Sequence, residues 1–479
     1  MVPGTSWASN LTLNLGLRWE YFTPITEKNG QISNAILGSG SNTLTDLRLK
    51  LGGNLYNASK NNWGPQIGFA WTPHPNTAQL FVIRGGFGIG YTRMEEAITL
   101  NGRSNIPFVS GVNFIDTGIN YAIPGDVHQF FDWPANPATQ IAFDPVTNLP
   151  VNGTGIVLNI FPQDLPTTTT YRYSLDTQYS LPSNWVATIG YQGSTTRHYT
   201  RQVNLNWFYP QNLNPTLQAV QYYPNDANAN FNALLGQLSH QFSQNFQLDF
   251  QYRWSKAIDD GSNEYNIGEY PFDLSFLRGL ADYDSRHNIK LLGLWSPRIF
   301  AAKDWREKVL GGWTISSILN WHTGFPFTPL YPTGCNVIYT GSNYCNLRPA
   351  AYLGGAGEDY SVDTFRQQNG NFPGGALTYF VPPTFATDGT IPPPPGVGRN
   401  TFRGPGYFSV DMTLQKSFGL PTMKVIGEGG RIEFRADFFN IFNKLNLTQV
   451  QTNVSSANFG QAQSALAGRI INLQARFSF

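Results

Sequence analysis

Charged side chains are scarce in this sequence, and none of its apolar runs is long. Asp, Glu, Lys and Arg make up 13% of the 479 residues, with a formal net charge of +1, so nothing favours binding to nucleic acid. No apolar run approaches the roughly 18 residues of a transmembrane helix, which leaves strands as the only elements able to cross a membrane. Residues 1–10 have neither the basic nor the apolar region of a signal peptide. We therefore expect either a cytoplasmic chain or one whose N-terminal part is absent from this sequence.

Cysteine and histidine are also rare. The two cysteines, Cys335 and Cys345, lie in a stretch rich in Gly, Asn, Tyr and Pro and lack the C-x-x-C spacing of a metal knuckle. We predict a loop disulfide in an oxidising compartment, with free thiols as the alternative. Of the six histidines, only His240 and His322 fall within predicted strands, and no nearby sequence marks a nucleophile for a barrel hydrolase. We expect neither enzymatic activity nor a cofactor.

Aromatic residues, by contrast, make up 14% of the chain, and 48 Gly and 32 Pro accompany them. Apolar and polar residues alternate strictly in residues 11–21, 246–255, 431–438 and 471–479. Such alternation predicts strands with one apolar and one polar face. About eleven residues is also the length that a tilted strand needs to cross a bilayer.

The predicted strands number about twelve, and the connections between them alternate between long and short, as in transmembrane barrels with long extracellular loops and short periplasmic turns. We therefore predict an all-β fold: a transmembrane antiparallel up-and-down β-barrel, with residues 1–479 as a single barrel region. An even strand number returns the C-terminus to the periplasmic side. The predicted extracellular loops are about 23–64, 94–168, 194–227, 257–285, 323–405 and 444–467.

Polar faces of the predicted strands carry charges of both signs. These residues would line a substrate path, or form ion pairs between neighbouring strands that face a plug or a wet lumen, and both roles are compatible. The predicted lumen-facing residues are Arg18, Glu20, Asp249, Arg253, Asp411, Arg431, Glu433, Arg435, Asp437 and Arg476.

A group of acidic residues precedes one of the predicted strands. Asp282, Asp284 and His287 offer metal ligands, but their spacing matches no EF-hand or zinc signature. We predict no metal site here. The same loop contains Asp259, Asp260 and Glu264.

Several segments resemble the β-barrel of TonB-dependent outer-membrane receptors, especially the group with an N-terminal carboxypeptidase-regulatory-like domain. The segments are YRWSKAIDD at 252–260, DYDSRHN at 282–288, GRNTFRGPG at 398–406, EFRADFFNIFN at 433–443 and the terminal Phe479. The resemblance implies a barrel of about 22 strands around a plug, of which this chain is the C-terminal half, the plug and the TonB-contacting segment being absent.

The same resemblance implies a cellular location and partners. It implies the bacterial outer membrane, contact with its lipid, energised uptake of a scarce siderophore, glycan or peptide, and contact with TonB only through the missing N-terminal part. It also makes Phe477 and Phe479 the signal that the barrel-assembly machinery reads. Two other functions stay open: a self-contained porin-like channel of about twelve strands, and a surface adhesin whose loops bind partners.

Overall fold

The structure, a computed structural model, describes most of the chain. The described residues are 5–8, 10–40, 43–77, 79–108, 142–151, 156–205, 214, 217, 219–243, 245–262, 273–297, 311–331, 348–355, 372, 375–383, 396–420 and 430–478. Among them, no helix has the length and apolar character needed to span a membrane.

One antiparallel sheet of 14 strands dominates the described chain. Numbered in chain order, its consecutive strands are β1 (Thr5–Ala8), β2 (Leu11–Trp19), β3 (Trp63–Trp71), β4 (Phe81–Thr92), β5 (Thr168–Leu181), β6 (Trp185–Tyr199), β7 (Ala227–Ser243), β8 (Phe246–Asp259), β9 (His287–Trp295), β10 (Trp313–His322), β11 (Tyr407–Gly419), β12 (Arg431–Phe439) and β13 (Ile470–Ser478). The short strand Gly279–Leu280 pairs with the end of β8. The predicted all-β, up-and-down fold is confirmed, since β2 to β13 are the predicted strands; β1 is an addition at the edge.

The register of the strands gathers the apolar side chains on one face. Leu15 pairs with Ile67, and Ile67 pairs on its other side with Phe87, so an apolar row crosses β2, β3 and β4. A shift of one residue in any pair would move a whole strand's apolar set to the other face, so the sequence pattern sets this register. Large apolar residues on this face stay exposed from the first strands to the last: Leu15, Ile67, Ile189, Leu234, Trp254, Phe434 and Leu473.

Short connections follow the odd-numbered strands from β3 onwards, and long ones follow the even-numbered strands. In two of the short connections, residues other than glycine have positive φ: Ser183, Asn184 and Asn245, with values of 58°, 63° and 65°. Asparagine adopts this left-handed conformation more readily than most residues, which suits it to tight hairpins. Because all neighbouring strands are antiparallel, every long connection leaves from the same end of the sheet.

The packed cores lie among these long connections. Leu44, Leu158 and Val220 come from three different connections, are fully buried and belong to one hydrophobic cluster. A parallel pairing of Val157–Ile160 with Ala219–Tyr222 joins two of the same connections. A second cluster joins the connections after β10 and β12 and includes Phe327, Phe372, Phe380, Phe402 and Phe459. A third contains the only α-helix of the described residues, α1 (Glu96–Asn101), through Ile98.

The sheet ends in two edges. Within the described part of the chain, β13 has β12 as its one neighbour and β1 has β2. Every residue of β13 is exposed. The backbone groups along its outer side therefore lack a strand partner there, which a membrane does not tolerate.

Candidate functional site

The polar face of the sheet brings together the charged residues that strand alternation singles out. Asp249 pairs with Leu292, Leu292 with Ile318, and Ile318 with Asp411, so the two aspartates share one row across β8 to β11. By the same tracing of register, all of the predicted lumen-facing residues have the parity of this face: Arg18, Glu20, Asp249, Arg253, Asp411, Arg431, Glu433, Arg435, Asp437 and Arg476.

Two ion pairs on this face each join residues that lie two positions apart in the sequence. Arg18 Nη2 lies 2.6 Å from Glu20 Oε1, and Arg435 Nε lies 2.9 Å from Asp437 Oδ1. Thr413 on the neighbouring strand donates to Asp437 Oδ1 at 2.6 Å. Among the described residues, these pairs run along the chain, whereas the alternation suggested pairs across strands.

A pocket of 500 Å³ opens on the polar face between β8 and β12, and its lining includes Asp249, Asp411, Arg435 and Asp437. Asp249 accepts hydrogen bonds from Gln237 Nε2 at 3.1 and 3.0 Å. The backbone N–H of Asn440 donates to Asp411 Oδ1 at 2.8 Å. With three carboxylates and one guanidinium in its lining, the pocket carries a negative field that favours ligands with hydrogen-bond donors.

Buried aspartates tie the long connections together at the other end of the polar face. Asp259 is 2% exposed and forms an ion pair with Arg399. Arg399 Nη1 also lies 3.3 Å from Asp282 Oδ1, which accepts from Asn400 Nδ2 at 2.6 Å. One arginine thus bridges the end of β8, the connection that follows it and the connection before β11.

A second ion pair joins the same two connections. Arg403 Nη2 lies 2.5 Å from Asp284 Oδ2, and the backbone N–H of Ala257 donates to Asp284 Oδ1 at 2.7 Å. Nearby, Arg278 Nη1 lies 2.9 Å from Asp260 Oδ1. Three of the segments that carry the family resemblance, 252–260, 282–288 and 398–406, therefore meet here. Buried carboxylates without such partners would be strongly destabilising.

His287 is turned away from this acidic group. Its Cα pairs with Trp254 on the apolar face, and its Nδ1 lies 2.7 Å from the Tyr252 hydroxyl. Asp282 and Asp284 engage arginines instead. In the part of the chain that the structure describes, no three Asp, Glu, His or Cys side chains are grouped to hold a metal ion.

Some predicted sites fall outside the described residues: Cys335, Cys345, Glu264 and Phe479. The disulfide therefore stays a prediction. Phe477 is described; it pairs with Ile432 on the apolar face and is 49% exposed.

Sequence reasoning missed the arginine partners of the aspartates and one lysine. No spacing rule links Arg399 to Asp259, because 140 residues separate them. Lys416 was detectable, since its position between Leu414 and Phe418 gives it the parity of the apolar face. The side chain is buried, and its ammonium donates to the carbonyl of Gly311.

Comparison with known proteins gives a family match. The sequence profile of the family described as "Outer membrane beta barrel domain" matches residues 7–472. No curated protein matches the chain.

Several solved structures have a similar fold at low identity. The outer membrane transporter YddB from Escherichia coli is 12% identical, with a TM-score of 0.47 over 98% of this chain and 43% of that one. BauA, the ferric preacinetobactin receptor from Acinetobacter baumannii, is 12% identical, with a TM-score of 0.42 over 99% and 42%. The unliganded ferric citrate transporter FecA is 11% identical, with a TM-score of 0.39 over 98% and 42%. The chain thus spans less than half the length of these proteins.

The family profile covers nearly all of the chain, including every strand from β2 to β12. Strand alternation, a continuous apolar face and this match agree. The chain belongs to the outer membrane beta barrel domain family of the bacterial outer membrane.

Proposed function

We propose that the chain is the C-terminal barrel portion of a TonB-dependent receptor that imports a scarce ligand, such as a siderophore, a glycan or a peptide. The apolar face contacts outer-membrane lipid, and the polar face lines the lumen. The plug, the TonB-contacting segment and a carboxypeptidase-regulatory-like domain belong to an N-terminal part outside this chain. The barrel-assembly machinery reads Phe477 and Phe479 as its C-terminal signal.

The observation that carries this proposal is the gathering of all long connections at one end of the sheet, where they pack into shared cores. Loops held on a rigid scaffold are the usual place for ligand binding. The ion pairs of Arg399 and Arg403 fix the chain at this end of the sheet, which we call the mouth. A mouth built in this way suits recognition of a ligand on the cell surface.

The orientation is tested with epitope tags in intact cells. One tag is inserted into the long connection at 145–147 and a matched tag into the short turn at 182–184. We expect antibody to bind the first tag in intact cells and the second only after the outer membrane is opened. The opposite pattern would overturn the assignment of the long connections to the extracellular side.

Uptake is tested with the receptor gene in its genomic context. Cells receive labelled ferric siderophores, oligosaccharides and peptides, with and without TonB. Accumulation of one label that needs both the receptor and TonB supports the proposal. Accumulation that persists without TonB indicates a porin-like channel, and surface binding without accumulation indicates an adhesin.

A further inference from the structure

An uncharged pocket lies at the mouth end of β10 and β11, separate from the acidic pocket on the polar face. Its volume is 430 Å³, and its lining includes His322, Phe325, Tyr407, Leu447 and Gln449. None of the described residues that line it is Asp, Glu, Lys or Arg. A space of this size holds one or two rings, and its walls come from three parts of the chain: the end of β10, the start of β11 and the connection after β12.

His322 sits within an aromatic stack. Its ring centre lies 5.2 Å from that of Tyr407, with the planes 17° apart, and 5.0 Å from that of Phe325. Such distances are those of favourable aromatic contacts, and a ligand ring can extend the stack.

The hydrogen bonding of His322 sets the tautomer of its ring. Its Nδ1 lies 2.9 Å from the carbonyl oxygen of Thr323. A carbonyl oxygen only accepts, so Nδ1 carries the hydrogen and Nε2 of the neutral ring is an acceptor. No described residue donates a hydrogen bond to Nε2, which leaves it for a ligand.

Gln449 adds a strained backbone position to the pocket wall. Its φ is +51°, in the left-handed region that residues other than glycine seldom occupy. Ser464 Oγ donates to Gln449 Oε1 at 3.1 Å, and Thr448 Oγ1 lies 2.7 Å from Ser464 Oγ. These contacts hold the Gln449 amide in place, as is common where strain persists at a binding site.

We propose that this pocket binds an uncharged aromatic ring that carries a hydrogen-bond donor, such as a phenol, with the donor on His322 Nε2 and the ring against Tyr407 and Phe325. The proposal rests on the proposed function, because it names the part of the imported ligand that this mouth recognises. A charged group would lose its hydration here and find no counter-ion in the lining.

The test uses the full-length receptor that contains this chain, in phospholipid nanodiscs, and three small probes, with empty nanodiscs subtracted. The probes are p-cresol, 4-methylanisole, which lacks the donor, and 4-hydroxybenzoate, which carries a negative charge. Binding is measured by saturation-transfer NMR. We expect p-cresol to bind about tenfold more tightly than 4-methylanisole, which corresponds to one hydrogen bond, and 4-hydroxybenzoate to bind most weakly.

His322→Phe keeps an aromatic ring and removes the acceptor. It should reduce p-cresol binding to the level of 4-methylanisole and leave 4-methylanisole unchanged. His74→Phe, in a turn at the other end of the sheet, is the matched control and should change neither. If His322→Phe does not fold, as judged by circular dichroism, Tyr407→Leu takes its place and should weaken p-cresol and 4-methylanisole together.

Three results would each overturn the proposal: no p-cresol binding to the wild-type chain, tighter binding of 4-hydroxybenzoate than of p-cresol, or unchanged p-cresol binding in His322→Phe. None of these binding results depends on TonB or on uptake. A failure of the pocket proposal is therefore distinguishable from a failure of the proposed receptor function.

Discussion

The ammonium nitrogen of Lys416 lies 5.0 Å from the centre of the Trp313 ring, on the apolar face of the sheet. A second ring, that of Phe418, lies 4.8 Å from the same nitrogen. The side chain is only 3% exposed. The proposed function places this face against lipid, where a cation is costly unless other groups replace its water. Here two aromatic rings and the carbonyl of Gly311 take that role.

The contact between Lys416 and Trp313 predicts that substitutions of these two residues have coupled effects on stability. Trp313→Leu should lower the free energy of unfolding by about 1 kcal/mol more in the wild-type chain than in a Lys416→Met background. The reason is that only the wild type loses a cation–π contact. The measurement is a double-mutant cycle from urea unfolding in detergent micelles. Trp321→Leu, on the same strand and face but at the other end, is the control and should show no coupling to Lys416. Additive effects of Trp313→Leu and Lys416→Met would contradict the prediction.

The two faces of β8 predict that arginine substitutions at neighbouring positions destabilise the protein to different extents. Phe250 pairs with Leu238 and Leu291 on the apolar face, whereas Gln251 pairs with Gln237 and Lys290 on the polar face. Phe250→Arg should destabilise the protein by about 2–4 kcal/mol if it lies near the bilayer midplane, and Gln251→Arg by far less. Folding titrations of the full-length receptor that contains this chain, into lipid vesicles, give both values. Equal destabilisation would mean that the faces are wrongly assigned.

The strands were predictable because each carries its own signal. In β8, Phe246, Leu248 and Phe250 alternate with polar residues, and this period of two is visible without knowledge of the neighbours. The parity of each strand then fixed which charged residues share a face. By contrast, β1 has four residues, too few to show a period.

The mouth of the sheet was not predictable in the same way. Leu44, Leu158 and Val220 pack together from separate connections that have no regular period of their own. Asp259, Asp282 and Asp284 were visible as a group, but their arginine partners, Arg399 and Arg403, come from a connection more than a hundred residues later. Long-range pairs of this kind depend on how the connections fold over one another, which local sequence does not encode.

The buried pair of Asp284 and Arg403 predicts a large effect from a single change. Asp284 is 1% exposed, so Arg403→Met leaves a carboxylate buried without its counter-ion, at a cost of about 3–5 kcal/mol. The double variant Asp284→Asn, Arg403→Met should cost much less than Arg403→Met alone. Hydrogen exchange of residues 281–285 measures the loss as local opening.

An exposed pair gives the matched control for this experiment. Arg93 and Glu96 lie 3.2 Å apart, with both side chains mostly exposed. Arg93→Met should therefore cost no more than about 0.5 kcal/mol. Similar losses in Arg93→Met and Arg403→Met would show that burial does not govern the strength of the Asp284 pair.

Asp144 predicts a pH dependence in the long connection after β4. Its Oδ1 accepts hydrogen bonds from the backbone N–H groups of Thr147 and Val146 at 2.7 and 2.8 Å, and from Thr147 Oγ1 at 3.0 Å. These donors lower the pKa of the Asp144 carboxyl below its ordinary value of 3.8, the Thr147 backbone bond having the largest effect. A lowered pKa in the folded state means that the stabilisation is present above the pKa of the unfolded chain and is lost as the pH falls through the folded value.

Hydrogen exchange of residues 144–148, corrected for the intrinsic rate at each pH, measures this effect. Protection at Val146 and Thr147 should be high at pH 6 and should fall as the pH is lowered below the ordinary value of 3.8. Asp144→Asn keeps an acceptor oxygen but lacks the charge, so its protection should be low at both ends of this range and nearly independent of pH. Residues of β8 are the internal reference, and their protection should be the same in both proteins. Equal, pH-independent protection of Thr147 in the wild type and in Asp144→Asn would show that the carboxylate does not hold this turn.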